Sequence, residues 1–351
     1  AATALQAEKA MSQWPKIDRQ LVEEEIAEKR QWKMVEGNQI VCVWVVTFED
    51  PKIWGERSHQ PSVFIHRIAN HPKFRGRGFV GMIVDWAKAR YASGPIQFLR
   101  LDTVGYNEAL ITYLLAVSSP EFPIDIQVYH QGWARDGDIV SSASQYDIPV
   151  VFNHNGAQGT VGPLFWAHYS YLGLDPRGLE DTYANYWDVV KNHTEIIHQH
   201  AVQNPNQFGG YSANCWGLTA SYSRNTDGST GYGAHQPNND LGIISPTAAL
   251  SSMVYTPQKS LDFLRYLYED TQGEYIGLLG PFDAISPHYS WKTERYLAID
   301  QGTIGPMLEN YKTQLFWNLF MNLLLLGLHS CFTDGILIVS KRTAMFEKGS
   351  S

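Results

Sequence analysis

The sequence predicts a mainly α-helical protein in which helical hairpins follow a small α/β segment. Strand-like apolar runs are concentrated in the first hundred residues. Beyond about residue 106 the chain reads as helices separated by loops that contain glycine and proline. With 351 residues and 44% hydrophobic content, the chain can build two average domains or one large core.

The first segment alternates between helix and strand. Charged residues fill positions 18–33, which predicts a solvated helix. Residues 39–47 (QIVCVWVVT), 62–69 (SVFIHRIA) and 97–103 (QFLRLDT) are predicted strands, and residues 79–91 a helix. The order of strand, glycine-rich turn, helix and strand predicts an α/β layer over residues 1–105.

Two helix starts mark the later part of the chain. Ser245 precedes Pro246 and Thr256 precedes Pro257, and each pair is a capping residue followed by proline in the first helical turn. Their closeness predicts a helical hairpin. The second helix is expected to present one apolar face, formed by Leu261, Leu264, Leu267 and Tyr268.

Two other stretches stand out. Residues 222–242 are rich in Asn, Gly and Asp, which predicts a long functional loop on the helical scaffold. Residues 315–328 (LFWNLFMNLLLLGL) are strongly apolar but shorter than a membrane span, which predicts a buried helix. Residues 323–351 form a tail to which no role is assigned.

Charge and cysteine content exclude several classes of partner. The net charge of −8 disfavours nucleic acid, because phosphate binding needs a basic surface. An uncharged oligo- or polysaccharide fits better, and an aromatic content of 13% suits stacking on sugar faces. Three cysteines without metal-type spacing predict neither a metal site nor a disulfide framework. The N-terminal residues show no signal-peptide pattern.

One motif in the first segment predicts an anion site. Arg75, Gly76, Arg77 and Gly78 lie between a predicted strand and a predicted helix, where glycines let backbone amides approach an anion at the helix N-terminus. The stretch VFIHRIANHP, RGRGFVGMIVDWAKA and FLRLDTVGYNEAL resembles the GNAT-type N-acetyltransferases. That resemblance implies acetyl-CoA as cofactor and a cytoplasmic location. It places the cofactor at Ile68, Ala69, Arg75, Gly76, Arg77, Gly78, Phe79 and Val80.

The remainder of the chain carries a second set of motifs. YNEALITYLLAVSSPEFP, VYHQGWARDGDIV, NCWGLTASYSRNTDG and GPFDAISPHYSWKTERYLAIDQGTIGPMLENY occur in order over about residues 106–322. These blocks resemble the glycoamylase-like glycoside hydrolases that include endo-β-1,2-glucanases. The resemblance implies the back half of an (α/α)6 toroid, inverting hydrolysis of a glucose polymer such as β-1,2-glucan without a cofactor, and a periplasmic or secreted location.

Such hydrolysis needs one carboxylic acid that protonates the glycosidic oxygen and one carboxylate that activates water. Glu108 is the predicted acid, because it begins a helix in the block where the family carries a functional Glu. Asp175 is the predicted second carboxylate, since it lies with Arg177 in a polar cluster within an aromatic stretch. Other candidates for that role are Asp181, Asp227, Asp240, Asp283 and Asp300.

Aromatic and polar residues around these acids are predicted to bind sugar. Flat rings stack on sugar faces, whereas carboxylates and amides bind hydroxyl groups. The predicted substrate-binding residues are His168, Tyr169, Arg177, Trp216, Tyr222, His235, Asp283, Trp291, Asp300 and Gln301.

Three functions therefore stay open at this point. The first is a glucan hydrolase in residues 106–322, and the second is an acetyl-CoA-dependent N-acetyltransferase in the first segment. The third is a non-catalytic glucan-binding protein or an inert chimera. The string NEALITY (residues 107–113) serves equally as the end of one family motif and the start of the other, as expected of a fused chain.

Overall fold

The computed structural model describes residues 18–51, 58–74, 77, 79–101, 109–119, 124–153 and 159–328, with side chains described up to residue 322. The chain divides into two compact units, Ala1–Val104 and Gly105–Ser351.

The first unit is built on a four-stranded sheet. Its helices and strands are, in order, α1 (Arg19–Ala27), β1 (Gln31–Glu36), β2 (Gln39–Thr47), β3 (Ser62–Asn70), α2 (Phe79–Tyr91) and β4 (Phe98–Leu101). Strands β1, β2 and β3 pair antiparallel, and β4 pairs parallel with β3. The predicted strands 39–47 and 62–69 and the helix 79–91 are confirmed.

The core of this unit follows from the side-chain pattern. The β-branched run of β2 buries Val41, Trp44 and Val46, and such residues fit a pleated, covered surface. Helix α2 faces them with Phe79, Ile83 and Ala87, which recur every four residues and so share one helix face.

The prediction of one helix over residues 18–33 is wrong in its second half. Helix α1 ends at Ala27, and Lys29 adopts a positive φ of 59°. Residues 31–36 then form β1, in which Trp32 and Met34 pack against the sheet core. An alternating apolar pattern with a sheet neighbour outweighed the local helix preference of the charged residues.

The second unit is rich in helices and carries small hairpins. Its longer helices are α3 (Leu110–Val117), α4 (Leu164–His168), α5 (Tyr186–Gln203), α6 (Pro246–Ser251), α7 (Pro257–Arg265), α8 (Ala298–Lys312) and α9 (Leu315–Leu328). Single turns are 3₁₀ at Arg135–Gly137, Tyr169–Leu172 and Ser252–Val254, and π at Tyr129–Trp133 and Tyr266–Asp270. The hairpins are β5–β6 (Ser144–Gln145, Ile148–Pro149), β7–β8 (Ala220–Arg224, Thr230–Ala234), β9–β10 (Ile276–Gly277, Gly280–Pro281) and β11–β12 (Ile285–Ser286, Trp291–Lys292).

Helix α5 is the central element of this unit. Asn185 caps it by accepting hydrogen bonds from the backbone N–H groups of Trp187 (3.0 Å) and Asp188 (3.3 Å). Asn204 ends the helix in the left-handed conformation, with φ 46°. Its apolar residues join both hydrophobic clusters of the unit, so α5 links the two halves of the core.

The two proline-marked helix starts are confirmed, but the capping side chains bond elsewhere. Ser245 Oγ donates to the carbonyl oxygen of Asp283 (2.9 Å), and Thr256 Oγ1 donates to the carbonyl oxygen of Ser252 (3.3 Å). Proline fixes the backbone angle of the first turn and lacks an N–H, so these helices begin without a side-chain cap.

Three expectations about this unit need correction. Residues 222–242, predicted as a loop, contain most of the β7–β8 hairpin, because the NTDG sequence forms its turn. In α7 and the π turn after it, Leu261 and Tyr268 are exposed, while Phe263 and Leu267 are the core residues. Residues 315–328 are helical as predicted, but Leu315, Phe316 and Leu319 are 40–56% exposed.

Candidate active site

Two aspartates that are distant in sequence meet in the interior of the second unit. Asp283 lies just before β11, and Asp300 lies in the first turn of α8. Their carboxyl groups interact directly, so that each affects the pKa of the other, and the two residues are only 0% and 1% exposed. We call them the carboxyl pair.

The backbone around Asp283 is fixed from three directions. Its N–H donates to the carbonyl oxygen of Arg295 (3.1 Å), and its own carbonyl oxygen accepts from Ser245 Oγ (2.9 Å). The next residues form a bridge between Ile244 and Ile285. The carboxyl pair therefore sits where α6, β11 and α8 begin.

Each carboxyl group has one donor of its own. The backbone N–H of Tyr222 donates to Asp283 Oδ2 (2.8 Å), and the Tyr169 hydroxyl donates to Asp300 Oδ1 (3.1 Å). The other two oxygens, Asp283 Oδ1 and Asp300 Oδ2, receive no hydrogen bond from another described residue. Two buried carboxylates cannot satisfy each other, so a single proton between these oxygens completes the arrangement.

The pKa shifts of the two aspartates agree with this shortage of hydrogen-bond donors. Burial, followed by the charge of Asp283, raises the pKa of Asp300 to about 8. Burial also raises the pKa of Asp283, although its hydrogen bonds from the Tyr222 amide and from Asp300 oppose that effect. The carboxyl pair thus retains a proton to a higher pH than an ordinary aspartate does.

Two tyrosine rings of this unit lie against arginine side chains, and one of them belongs to Tyr222, whose amide contacts Asp283. The Arg295 guanidinium lies 5.6 Å from the ring centre of Tyr222, and the Arg224 guanidinium 4.9 Å from that of Tyr289. Tyr222 also pairs across the hairpin with Tyr232. Aromatic rings held by arginine in this way suit a sugar face and its hydroxyl groups.

Gln301 connects the carboxyl pair to the β9–β10 hairpin. Its side-chain amide donates to the carbonyl oxygens of Leu279 (3.3 Å) and Pro281 (2.9 Å). The backbone N–H of Leu279 donates to the Tyr296 hydroxyl (3.4 Å). The predicted sugar contacts Tyr169, Tyr222, Asp283, Asp300 and Gln301 are therefore brought together.

Asp175 and Arg177 form a separate cluster. Arg177 Nε and Nη2 donate to the two oxygens of Asp175 at 2.9 and 2.6 Å. The same guanidinium lies 4.6 Å from the ring centre of Trp317. This bidentate pair anchors the loop after the 3₁₀ turn 169–172 to α9, and a catalytic role for Asp175 stays a prediction.

Two other predicted carboxylates accept several hydrogen bonds from neighbouring residues. Asp181 accepts hydrogen bonds from the hydroxyls of Tyr129 and Tyr186 and from two backbone amides. Asp240 accepts from His200, from the Tyr211 hydroxyl and from a backbone amide. Asp227 lies exposed in the β7–β8 turn, where it accepts from Ser229.

Three predicted sugar contacts lie in the core instead of on a surface. His168 and Trp216 are 0% exposed and His235 is 1% exposed. Burial lowers the pKa of His168, and it lowers the pKa of His235 to about 4. Both imidazoles are therefore neutral at pH 7. Trp291 is half-buried on β12.

Several predicted residues lie outside the described part of the chain. Among them are the predicted acid, Glu108, and the turn residues Arg75, Gly76 and Gly78. Of the other predicted cofactor contacts, Phe79 is buried, Val80 is 47% exposed, and Arg77 forms an ion pair with Glu36 (2.6 Å).

The predicted cofactor strand has an irregular geometry. Among the described residues β3 pairs with β4 from Ser62 to Ile65, and Arg67 has a positive φ of 50°. Ile68 and Ala69 follow Arg67, and Ala69 pairs with Val43 of β2.

Sequence reasoning identified Asp283 and Asp300 singly but missed their pairing. It also missed Arg224, Tyr289 and Arg295. The apolar neighbours Phe282, Ala284 and Ile299 were a signal in the sequence, because an acid inside an apolar stretch is often buried and needs a partner.

The described residues hold no group of three or more His, Cys, Asp or Glu side chains suited to a metal ion. No helix in the described part of the chain combines the length and apolar character that a bilayer crossing requires.

Residues 100–323 match the glycoamylase family, described as "Putative glucoamylase". The endo-β-1,2-glucanase of Chitinophaga pinensis, solved with sophorotriose and glucose, is 50% identical with a TM-score of 0.60; the match covers 64% of this chain and 53% of that one. An exo β-1,2-glucooligosaccharide sophorohydrolase (non-reducing end) of Parabacteroides distasonis is 34% identical over 62% of this chain and 32% of its own length.

A shorter similarity concerns the acetyltransferases. An uncharacterised N-acetyltransferase of Bacillus subtilis, YesJ, is 27% identical over 23% of this chain and 45% of its own length. The chain thus spans about half, or less, of the length of these relatives.

Proposed function

The chain belongs to the glycoamylase family, and from this premise we propose that its second unit acts as a glycoside hydrolase on β-1,2-glucan. The observation that carries the proposal is the buried carboxyl pair beside the half-buried Tyr222 and the exposed Arg295, inside the segment shared with the β-1,2-glucan-degrading relatives. A glucan is uncharged, which agrees with a protein of net charge −8.

Hydrolysis by this site would use two groups. In the proposed reaction Glu108 protonates the glycosidic oxygen while water attacks the anomeric carbon and gives up a proton. Inverting enzymes hold their acid and base about 6.5–9.5 Å apart to leave room for that water. Asp283 and Asp300 touch each other, so they serve together as the group that takes up the water proton.

The substrate would lie on the half-exposed residues. Tyr169, Tyr222 and Gln301 each touch the carboxyl pair or its immediate neighbours and also reach the surface. We infer that they hold a glucose unit over the pair.

The test is release of reducing ends and of sophorooligosaccharides from linear β-1,2-glucan by the full chain. We expect Glu108→Gln and Asp300→Asn to lower the rate by about 10²-fold or more. Asp270→Asn, at an exposed carboxylate, is the matched control and should retain the parental rate. Binding of sophorotriose without any turnover by the parent would refute the hydrolase and support a glucan-binding protein.

A second candidate function belongs to the first unit. In the first unit β3 carries Ile68 and Ala69, and α2 begins at Phe79, directly after the arginine- and glycine-rich sequence 75–78. A strand followed by such a sequence and a helix N-terminus favours the pyrophosphate of acetyl-CoA as a ligand. Calorimetric titration of the chain with acetyl-CoA should give saturable heat that is lost in Gly76→Asp; absence of heat with the parent would exclude this candidate.

A further inference from the structure

The Tyr169 hydroxyl is the one side-chain donor that reaches the carboxyl pair from outside it among the described residues. It donates to Asp300 Oδ1 at 3.1 Å from the start of the 3₁₀ turn Tyr169–Leu172. The Tyr169 ring is half-buried and packs against Phe165, with the ring centres 5.4 Å apart. The hydroxyl is thus held by a packed ring rather than by a mobile chain.

This contact divides the four carboxyl oxygens into two kinds. Asp300 Oδ1 is occupied by Tyr169, and Asp283 Oδ2 is occupied by the Tyr222 amide. The oxygens left over, Asp300 Oδ2 and Asp283 Oδ1, are those without another donor. A proton held between them would give both a partner, whereas a proton on either of the other two oxygens would leave both unsatisfied.

The other charged and titratable groups nearby point elsewhere. The charged ends of Arg295 and Lys292 lie over the rings of Tyr222 and Phe282, each 5.6 Å from the ring centre. His235, directly after β8, is neutral because burial lowers its pKa to about 4. The amides at the start of α8 favour a charged Asp300, as does Tyr169.

We propose that Tyr169 is a positioning residue that fixes the shared proton between Asp300 Oδ2 and Asp283 Oδ1, and so decides how readily the carboxyl pair gives up or accepts a proton. The role of Tyr169 in catalysis rests on the proposed hydrolase function. The position of the proton is a property of the carboxyl pair alone, so it can be tested without substrate.

The test uses Tyr169→Phe, which removes one hydroxyl and keeps the ring. The infrared C=O band of a protonated carboxyl group is measured as a function of pH. Disappearance of this band in Asp300→Asn assigns it to the carboxyl pair. Because the Tyr169 hydroxyl lowers the pKa of Asp300, its removal should move the band's midpoint upward by roughly half to one pH unit. Tyr311→Phe, at a tyrosine 51% exposed on α8, is the matched control and should leave the midpoint unchanged.

The two proposals fail in distinguishable ways. An unchanged midpoint in a folded Tyr169→Phe protein overturns the positioning role, even if glucan is hydrolysed. A shifted midpoint without hydrolysis by the parent supports the positioning role and removes the hydrolase. If both hold, the pH profile of kcat in Tyr169→Phe should shift in the same direction as the band, with KM for the glucan changing less than kcat.

Discussion

At the scale of single residues, burial decides what the acids of this protein can do. Asp175 and Asp300 are both predicted site residues, yet one is bound by a guanidinium fork and the other by a second carboxyl group. Sequence patterns predict Asp175 as the second catalytic carboxylate and Asp300 as a sugar contact. Their environments differ because only folding brings Asp283 to Asp300 and Arg177 to Trp317.

The carboxyl pair should make stability depend on pH in a specific direction. The pKa of Asp300 is raised from 3.8 to about 8 on folding, so the folded state binds the extra proton between these values. The stabilisation is complete below about pH 4 and is lost as pH rises through about 8. We therefore expect the difference in unfolding free energy between the parent and Asp300→Asn to fall over this range, measured by urea denaturation.

If the difference in unfolding free energy between the parent and Asp300→Asn instead rises with pH, the raised pKa of Asp300 is contradicted. Asp270→Asn, at an exposed carboxylate, serves as the reference and should show no such trend.

Arg177 should matter for stability more than an ordinary surface arginine. Arg177→Gln removes two hydrogen bonds to Asp175 and the contact with the Trp317 ring, and it should cost about 1–2 kcal/mol. Arg265→Gln breaks the exposed pair with Asp262 and should cost about 0–0.5 kcal/mol. Thermal unfolding of both variants checks this, and equal losses would show that Arg177 is no anchor.

At the scale of elements, the ends of helices and hairpins position the candidate site. α6 begins at Pro246 beside Asp283, and α8 begins two residues before Asp300. The β7–β8 hairpin supplies Tyr222 and its amide. Helix starts marked by proline were readable from sequence, but the hairpin was not, because its polar residues resemble those of a loop.

Gly217 has no room for a side chain. Its φ is +127°, and a Cβ there would lie 2.6 Å from the Ser245 carbonyl oxygen, just before α6. Gly217→Ala should therefore cost about 2 kcal/mol or more. Gly302→Ala, inside α8 with nothing within 4 Å, should instead stabilise by about 0.5–1 kcal/mol, and chemical denaturation of the two variants separates these outcomes.

At the scale of the whole molecule, the chain joins two units that differ in secondary structure. One is a four-stranded sheet with its own core, and the other is a helix-rich unit with two hydrophobic clusters. Because each unit has its own core, we expect each to resist proteases independently of the other.

Limited proteolysis followed by mass spectrometry should release a protected fragment that begins near residue 105. Uniform digestion of both units, without such a fragment, would show that the second unit does not hold its fold independently.

The sequence by itself determined the helix-rich character of the later part, the strands 39–47 and 62–69, the helix 79–91 and the family, because these depend on local periodicity, proline and motif order. Tertiary structure decided which acids meet, since two carboxyl groups far apart in the chain interact only where several elements begin together. It also turned residues 31–36 into a strand, because sheet pairing outweighed local preference. The arrangement of Tyr169, Asp283 and Asp300 is likewise a product of packing, and no spacing in the sequence marks it.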